Sequence, residues 1–196
     1  MKVVVVIPTY NERENTLKMI DVLAEEFAKI KNQQMLLLYV DANSPDGTGE
    51  IVKEKMKEYL WLHLLVETQK EGLGRAYAKG FKYAVEKLKA DYVMEFDADF
   101  QHRPQDIKRL VDEIDNGYDY IIGSRYIPGG SIPQEWGFKR KFLSVVGNWV
   151  GRIGLLMPHI HDITTGFKLT KVDGVSDEID LDNLYSRSFA YKVSQN

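Results

Sequence analysis

Two aspartates one residue apart close an apolar run in VMEFDADFQHRP, residues 93–104. In an extended segment residues i and i+2 project to the same face, so Asp97 and Asp99 bring two carboxylates together, and Gln101 stands two residues further on. Unpaired like charges at the end of a buried strand are costly, and a divalent cation is their natural neutralising partner. Hard oxygen ligands suit Mg²⁺ or Mn²⁺, ions that keep water and phosphate oxygens in their remaining positions. Alone, D-x-D is a weak signal, and the same residues would serve to cap the next helix and solvate its loop. Its place after a strand, facing three other polar strand ends, favours chemistry.

Those other ends are PTYNE at 8–12, DANSPDGT at 41–48 and GSRY at 123–126. Asp41 at a strand tip is suited to accept from a nucleobase N–H or a ribose hydroxyl. Asp46 and Thr48, among the turn formers Asn43, Ser44, Pro45 and Gly47, read as turn and helix cap. EGLGRAYAKG at 71–80 puts glycines where a helix N-terminus meets a diphosphate, without forming a G-x-G-x-x-G fingerprint. Gly80 reads as a close packing point against the sheet. Arg75 is a phosphate ligand or a solvated helix residue, and the sequence leaves both open. Arg125 and Arg140 are candidate anion clamps, because guanidinium forks match phosphate oxygens in pairs. Lys139, Arg140 and Lys141, interleaved with Trp136, Phe138 and Phe142, fit a membrane-surface patch and equally an amphipathic edge helix. His159-x-His161-Asp162 reads as loop chemistry, His63 as a strand-face residue and His102 as a near-site residue.

Four strand-then-helix units must position these residues. Lys2 to Thr9 is a β-branched run of the kind buried on both faces of a parallel sheet, and a capping box at Asn11 and Glu14 opens the helix that follows it. Met35 to Val40 precedes a helix near Gly49 to Leu60, and Leu62 to Val66 precedes one carrying Leu73, Ala76, Tyr77, Gly80, Phe81, Ala84 and Leu88. Tyr92 to Phe96 precedes a helix with Ile107, Leu110, Val111 and Ile114, and Tyr118 to Ile122 supplies a fifth strand. This alternation predicts a three-layer α/β/α sandwich with a mostly parallel sheet, whose ligands collect at the strands' carboxyl ends. From Trp136 to Met157 the pattern predicts helices at the sheet edge, and Phe189 to Val193 a last strand.

With 196 residues the chain suits one domain. A formal charge of −3 argues against a nucleic-acid partner held by bulk electrostatics. The absence of cysteine excludes a thiol nucleophile and a Cys-ligated zinc. Apolar runs fall short of the roughly 18 residues a spanning helix needs, which predicts a soluble or peripheral protein.

Taken together, VVIPTYNERENT, VDANSPDGT, KEGLGRAYAKGF, DADFQHRP, GSRYIPGGSI with Trp136 and Arg140, and DITTGFK resemble the family-2 glycosyltransferases, most of all their dolichol-phosphate (polyprenyl-phosphate) mannosyltransferase branch. The resemblance implies a GT-A fold over residues 1–196 as one catalytic domain, with 131–160 as an acceptor- and membrane-facing helical segment and 173–196 as a short tail. It implies a nucleotide-sugar donor held by Pro8, Tyr10, Asn11, Glu12, Asp41, Asp97 and Ala98, and Mg²⁺ or Mn²⁺ held by Asp97, Asp99 and Gln101. Asp99, Arg125 and Arg140 would be the catalytic set, with Arg125, Arg140 and Ser144 near the acceptor phosphate. Three departures stand out. Ala42 follows Asp41 where relatives usually carry a second Asp, Lys168 closes the motif that resembles D-x-T-S-G-F-R, and the chain ends soon after SFAYKVSQN where relatives commonly continue.

The implied reaction is attack by a polyprenyl or dolichyl phosphate oxygen on the anomeric carbon of GDP-mannose or a similar donor, with inversion. A phosphate monoester with a second pKa of about 6 is already anionic, so no strong general base is required. The implied location is peripheral, on the cytosolic face of a membrane, with room for a separate anchoring subunit. Two alternatives stay open: a family-2 transferase with a hydroxyl acceptor, and a nucleotide-sugar-binding protein without turnover.

Overall fold

A computed structural model describes residues 1–130, 132, 136–154, 156, 160–163 and 165–176. The helical segment and tail expected at 131–160 and 173–196, and the strand at 189–193, lie partly or wholly outside them.

The β-branched run forms β1 (Lys2–Thr9), buried from Val3 to Val6 on both faces as its composition requires. Around it lie β2 (Gln34–Asp41), β3 (Leu62–Val66) and β4 (Tyr92–Glu95), all parallel. β5 (Tyr120–Ile122) closes one edge, and the sheet order is β3-β2-β1-β4-β6-β5. The sixth strand, β6 (Lys168–Lys171), is antiparallel to both β4 and β5 and separates them. Sequence reading did not anticipate it. KLTK is four residues long and carries two lysines, so nothing local marks it as a strand. Its register sets Lys168 opposite Glu95, which lets two buried charged residues share one level of the sheet.

Residue parity divides the core. Val3, Val5, Ile7, Leu37 and Tyr39 face α1 (Arg13–Ala28), α2 (Thr48–Lys55) and α4 (Ile107–Asp112), whose Met19, Leu23, Val52 and Val111 complete that layer. Val4, Val6, Leu36, Leu38 and Val40 face α3 (Leu73–Glu86) through Ala76, Tyr77, Phe81 and Ala84. The result is the expected α/β/α sandwich. α2 is shorter than its apolar spacing suggested, ending at Lys55 and continuing only as turns through Glu58.

Helix α1 does not open on the expected capping box. Asn11 takes a left-handed φ of 60° and donates its own N–H to Ser44 Oγ at 3.0 Å. The next two N–H groups, of Glu12 and Arg13, reach Thr48 Oγ1 and Asp46 Oδ2, each at 3.1 Å. Asp46 also receives the Thr48 N–H at 2.9 Å, so one side chain caps the starts of both α1 and α2. Its burial would raise its pKa, but the bonds from Thr48 and Arg13 outweigh that and hold it below the usual carboxylate value. The loops after β1 and β2 are thereby locked together.

Gly80 is where α3 touches the sheet: a Cβ there would stand 2.5 Å from Val6 Cγ1 and 2.9 Å from Val40 Cγ2. Gly80→Ala is expected to destabilise the protein by ~1–3 kcal/mol through overpacking, read as a lowered urea midpoint at unchanged slope. An unaltered midpoint would mean that α3 shifts at no cost.

Candidate active site

Three of the four polar strand ends meet along the carboxyl edge of β2, β1 and β4. The turn after β4 carries Asp97, Ala98, Asp99 and Gln101. Phe100 at its apex takes a φ of 59°, which folds the chain back so that Asp99 accepts from Gln101 twice, from N at 3.0 Å and from Nε2 at 2.6 Å. Asp97 accepts from the Tyr77 hydroxyl at 2.9 Å and stands 3.6 Å from His102 Nε2. Tyr77 had read only as part of an apolar helix face. Its ring does pack there, and its hydroxyl reaches the end of β4, a role that periodicity does not register.

The donor set of this turn is two carboxylates and an amide oxygen, which suits a hard divalent cation still holding phosphate and water. Among the described residues no group of three or more His, Cys, Asp or Glu side chains converges as a self-contained metal cage. Such a set would be completed from outside the protein.

At the ends of β1, β2 and β3 lies a cleft of about 130 Å³ lined by Pro8, Thr9, Tyr10, Ala42, Glu67 and Lys70, together with Gly72, Leu73 and Ala76. The Lys70 ammonium stands 3.8 Å above the Tyr10 ring. Asp41, only 2% exposed, accepts from Thr9 Oγ1 at 3.3 Å, Ser44 Oγ at 2.6 Å and Ser44 N at 3.0 Å. It therefore ties β1 to the loop after β2. Glu12 accepts from Asn15 Nδ2 at 2.7 Å at the start of α1.

The two arginines differ. Arg125 forks onto Asp162, Nε to Oδ2 at 2.7 Å and Nη2 to Oδ1 at 2.8 Å, beneath the Trp136 ring at 4.9 Å. Burial would lower its pKa, but the bonds and charge of Asp162 prevail and raise it. Asp162 is itself fully buried, and beside it Asn148 accepts from the Ile163 N–H at 2.8 Å. Sequence reading had placed Asp162 in a motif without seeing that it anchors two other elements.

Arg140 lies in the first turn of α5 (Phe138–Gly154). It stacks on Trp136 at 4.1 Å and donates from Nη2 to Gln101 Oε1 at 3.0 Å. The acidic turn and the helix thus touch. Ser144, one turn further on, accepts from the Tyr126 hydroxyl at 2.6 Å. Asn148 is the one buried residue described on α5, while Phe138, Phe142, Leu143, Trp149, Val150 and Ile153 are exposed beside Lys139, Lys141 and Arg152.

The profile described as "Glycosyl transferase family 2" matches residues 4–177. Polyprenol monophosphomannose synthase of Mycolicibacterium smegmatis is 36% identical over 195 residues, covering 98% of this chain and 69% of that one. Dolichol-phosphate mannosyltransferase of Pyrococcus furiosus is 42% identical over 167 residues, covering 83% of this chain and 43% of that one, so the chain spans less than half of that relative. Among solved structures, S. aureus TarS 1-349 in complex with UDP superposes with a TM-score of 0.65 at 18% identity, covering 100% of this chain and 55% of that one. Glucosyl-3-phosphoglycerate synthase from Mycobacterium tuberculosis superposes at 0.63 and 14% identity, covering 99% and 63%. These neighbours show the GT-A fold.

Asp162→Asn leaves the half-buried Arg125 guanidinium beside a neutral amide, and losing its charge-assisted bonds is expected to cost about 1–3 kcal/mol. Thermal unfolding checks this, and a loss under 1 kcal/mol would assign the pair no structural weight.

Proposed function

The chain belongs to glycosyl transferase family 2, and from that premise we propose that it transfers a mannosyl group from a nucleotide sugar to a polyprenyl phosphate. The observation that carries this reading is the 3.0 Å bond from Arg140 to Gln101, which joins the acidic turn to α5, whose aromatic and aliphatic side chains face outward beside basic ones. A donor site and a lipid-facing surface are then neighbours. The names of the Mycolicibacterium and Pyrococcus relatives agree with it.

In this reading Pro8, Tyr10, Asn11, Glu12 and Asp41 form the nucleoside side of the donor site, with Asp41 acting through the loop that it holds. Asp97, Asp99 and Gln101, backed by Ala98, would hold Mg²⁺ or Mn²⁺, which when bound offsets the charge of the departing diphosphate. Arg140 is placed to draw the acceptor phosphate toward the donor, since its guanidinium is exposed and held by a ring and one neutral amide. Arg125, forked onto Asp162, positions the neighbouring backbone and Trp136. The phosphate arrives as an anion, so its oxygen attacks the anomeric carbon without a base to remove a proton.

The acceptor would meet the protein at a membrane surface. No helix of the described residues is long and apolar enough to cross a membrane. α5 instead has the composition of a helix lying in the interface, with Trp149, Phe142 and Leu143 toward acyl chains and Lys139 and Lys141 toward lipid phosphates.

Incubating the protein with GDP-mannose, Mn²⁺ and a short polyprenyl phosphate is expected to yield glycolipid and free nucleotide in equal amounts. Asp99→Ala is expected to lower that rate by about 100-fold or more, and equal turnover in the variant would contradict the assignment. The second check is sedimentation with anionic vesicles, in which the wild type is expected to pellet and Phe142→Glu/Trp149→Glu to stay in the supernatant. Equal pelleting would remove α5 from the membrane contact.

A further inference from the structure

The carboxylate of Glu67 is buried at 4% exposure at the end of β3, where its N–H is held by the Asp41 carbonyl at 2.8 Å. One oxygen, Oε1, accepts from Lys79 Nζ at 2.8 Å, and Lys79 also reaches Glu71 at 3.0 Å. The other oxygen, Oε2, is buried with no hydrogen-bond partner. A buried carboxylate oxygen without a donor is costly, and since Glu67 lines a cleft, a turn of its side chain toward that cleft exchanges this cost for a bond to an arriving donor. Glu67 lines the cleft beside Tyr10 and is the only carboxylate among its described lining residues. Ala42 stands in the same cleft and adds no polar group.

A flat ring, small apolar neighbours and one acceptor-only anion define a chemistry. The Tyr10 face and Leu73 suit a planar heterocycle, while Oε2 requires N–H groups at its edge. Guanine presents two adjacent donors, N1–H and the exocyclic N2–H, and a carboxylate receives such an edge without repulsion. Uracil presents one N–H between two carbonyl oxygens, and an anion placed there meets at least one of them. Resting on the donor-site reading above, we propose that Glu67 is the residue that reads the nucleobase, selecting a guanine nucleotide through its unpartnered Oε2.

Calorimetric titration of the whole chain with GDP, IDP and UDP in Mn²⁺ tests this without any transfer step. GDP is expected to bind about tenfold or more tightly than IDP, which lacks the N2 amine, and tighter still than UDP. Glu67→Gln keeps the shape and an acceptor oxygen but removes the charge. It is expected to weaken GDP by about tenfold while changing UDP by less than about threefold. The comparison of GDP with IDP on the wild type holds even if that variant folds poorly. Equal affinity for GDP and IDP, a preference for UDP, or equal losses for GDP and UDP in Glu67→Gln would each overturn the role of Glu67. Glycolipid formation from some other nucleotide sugar would then leave the proposed function standing, whereas no binding of any nucleotide would remove both.

Discussion

Three parallel strands buried on both faces, β1, β2 and β4, leave polar side chains few places to go. Between Val3 and Val6, and from Leu37 to Val40, no side chain of β1 or β2 reaches solvent. Every group that could bind a charged ligand is therefore pushed to the strand ends, and parallel strands put their carboxyl ends on one edge. The acidic turn, the capped loops and the cleft beside Tyr10 all follow from that constraint. The capping is part of it, because Ser44, Asp46 and Thr48 satisfy the start of α1 and so fix the distance between two loops that would bind one ligand.

The edge beyond β4 is built differently. There β6 enters antiparallel, and the polar cluster around Asp162 joins the end of β5 to α5 through Arg125 and Asn148. A fully buried carboxylate with a forked guanidinium holds its partners in one geometry, since neither charge can be left alone in the interior. α5 has one buried residue described on it, so this cluster and the contacts of Arg140 do much to keep the helix against the sheet. Its outward face is free to be apolar.

The sequence carried much of this and missed particular parts for physical reasons. β1 was legible because a β-branched run buried on both faces has little other reading, β2 to β4 because short apolar runs alternate with helical spacing, and Gly80 because a glycine on a packed helix face implies close approach. The acidic turn after β4 was legible from its place behind an apolar run rather than from its D-x-D spacing, which alone is a weak signal. β6 was not, since its stability comes from β4 and β5 on either side rather than from its own four residues. The cap of α1 was misplaced because its acceptors lie more than 30 residues away, beyond the reach of a local pattern. Arg125 looked like a free anion clamp, and only the fold brings Asp162 to it across 37 positions. Glu67 and the hydroxyl of Tyr77 passed unremarked because a single polar atom on a buried residue leaves no periodic trace.

The central claim is that the turn from Asp97 to Gln101 binds the diphosphate of a nucleotide sugar through a divalent cation. Anomalous diffraction from crystals grown with Mn²⁺ and GDP-mannose tests it most directly. The account predicts a manganese peak within coordination distance of oxygens from Asp97, Asp99 or Gln101 and of the donor's phosphates. Manganese and diphosphate bound together elsewhere on the protein, with those side chains turned from both, would contradict it.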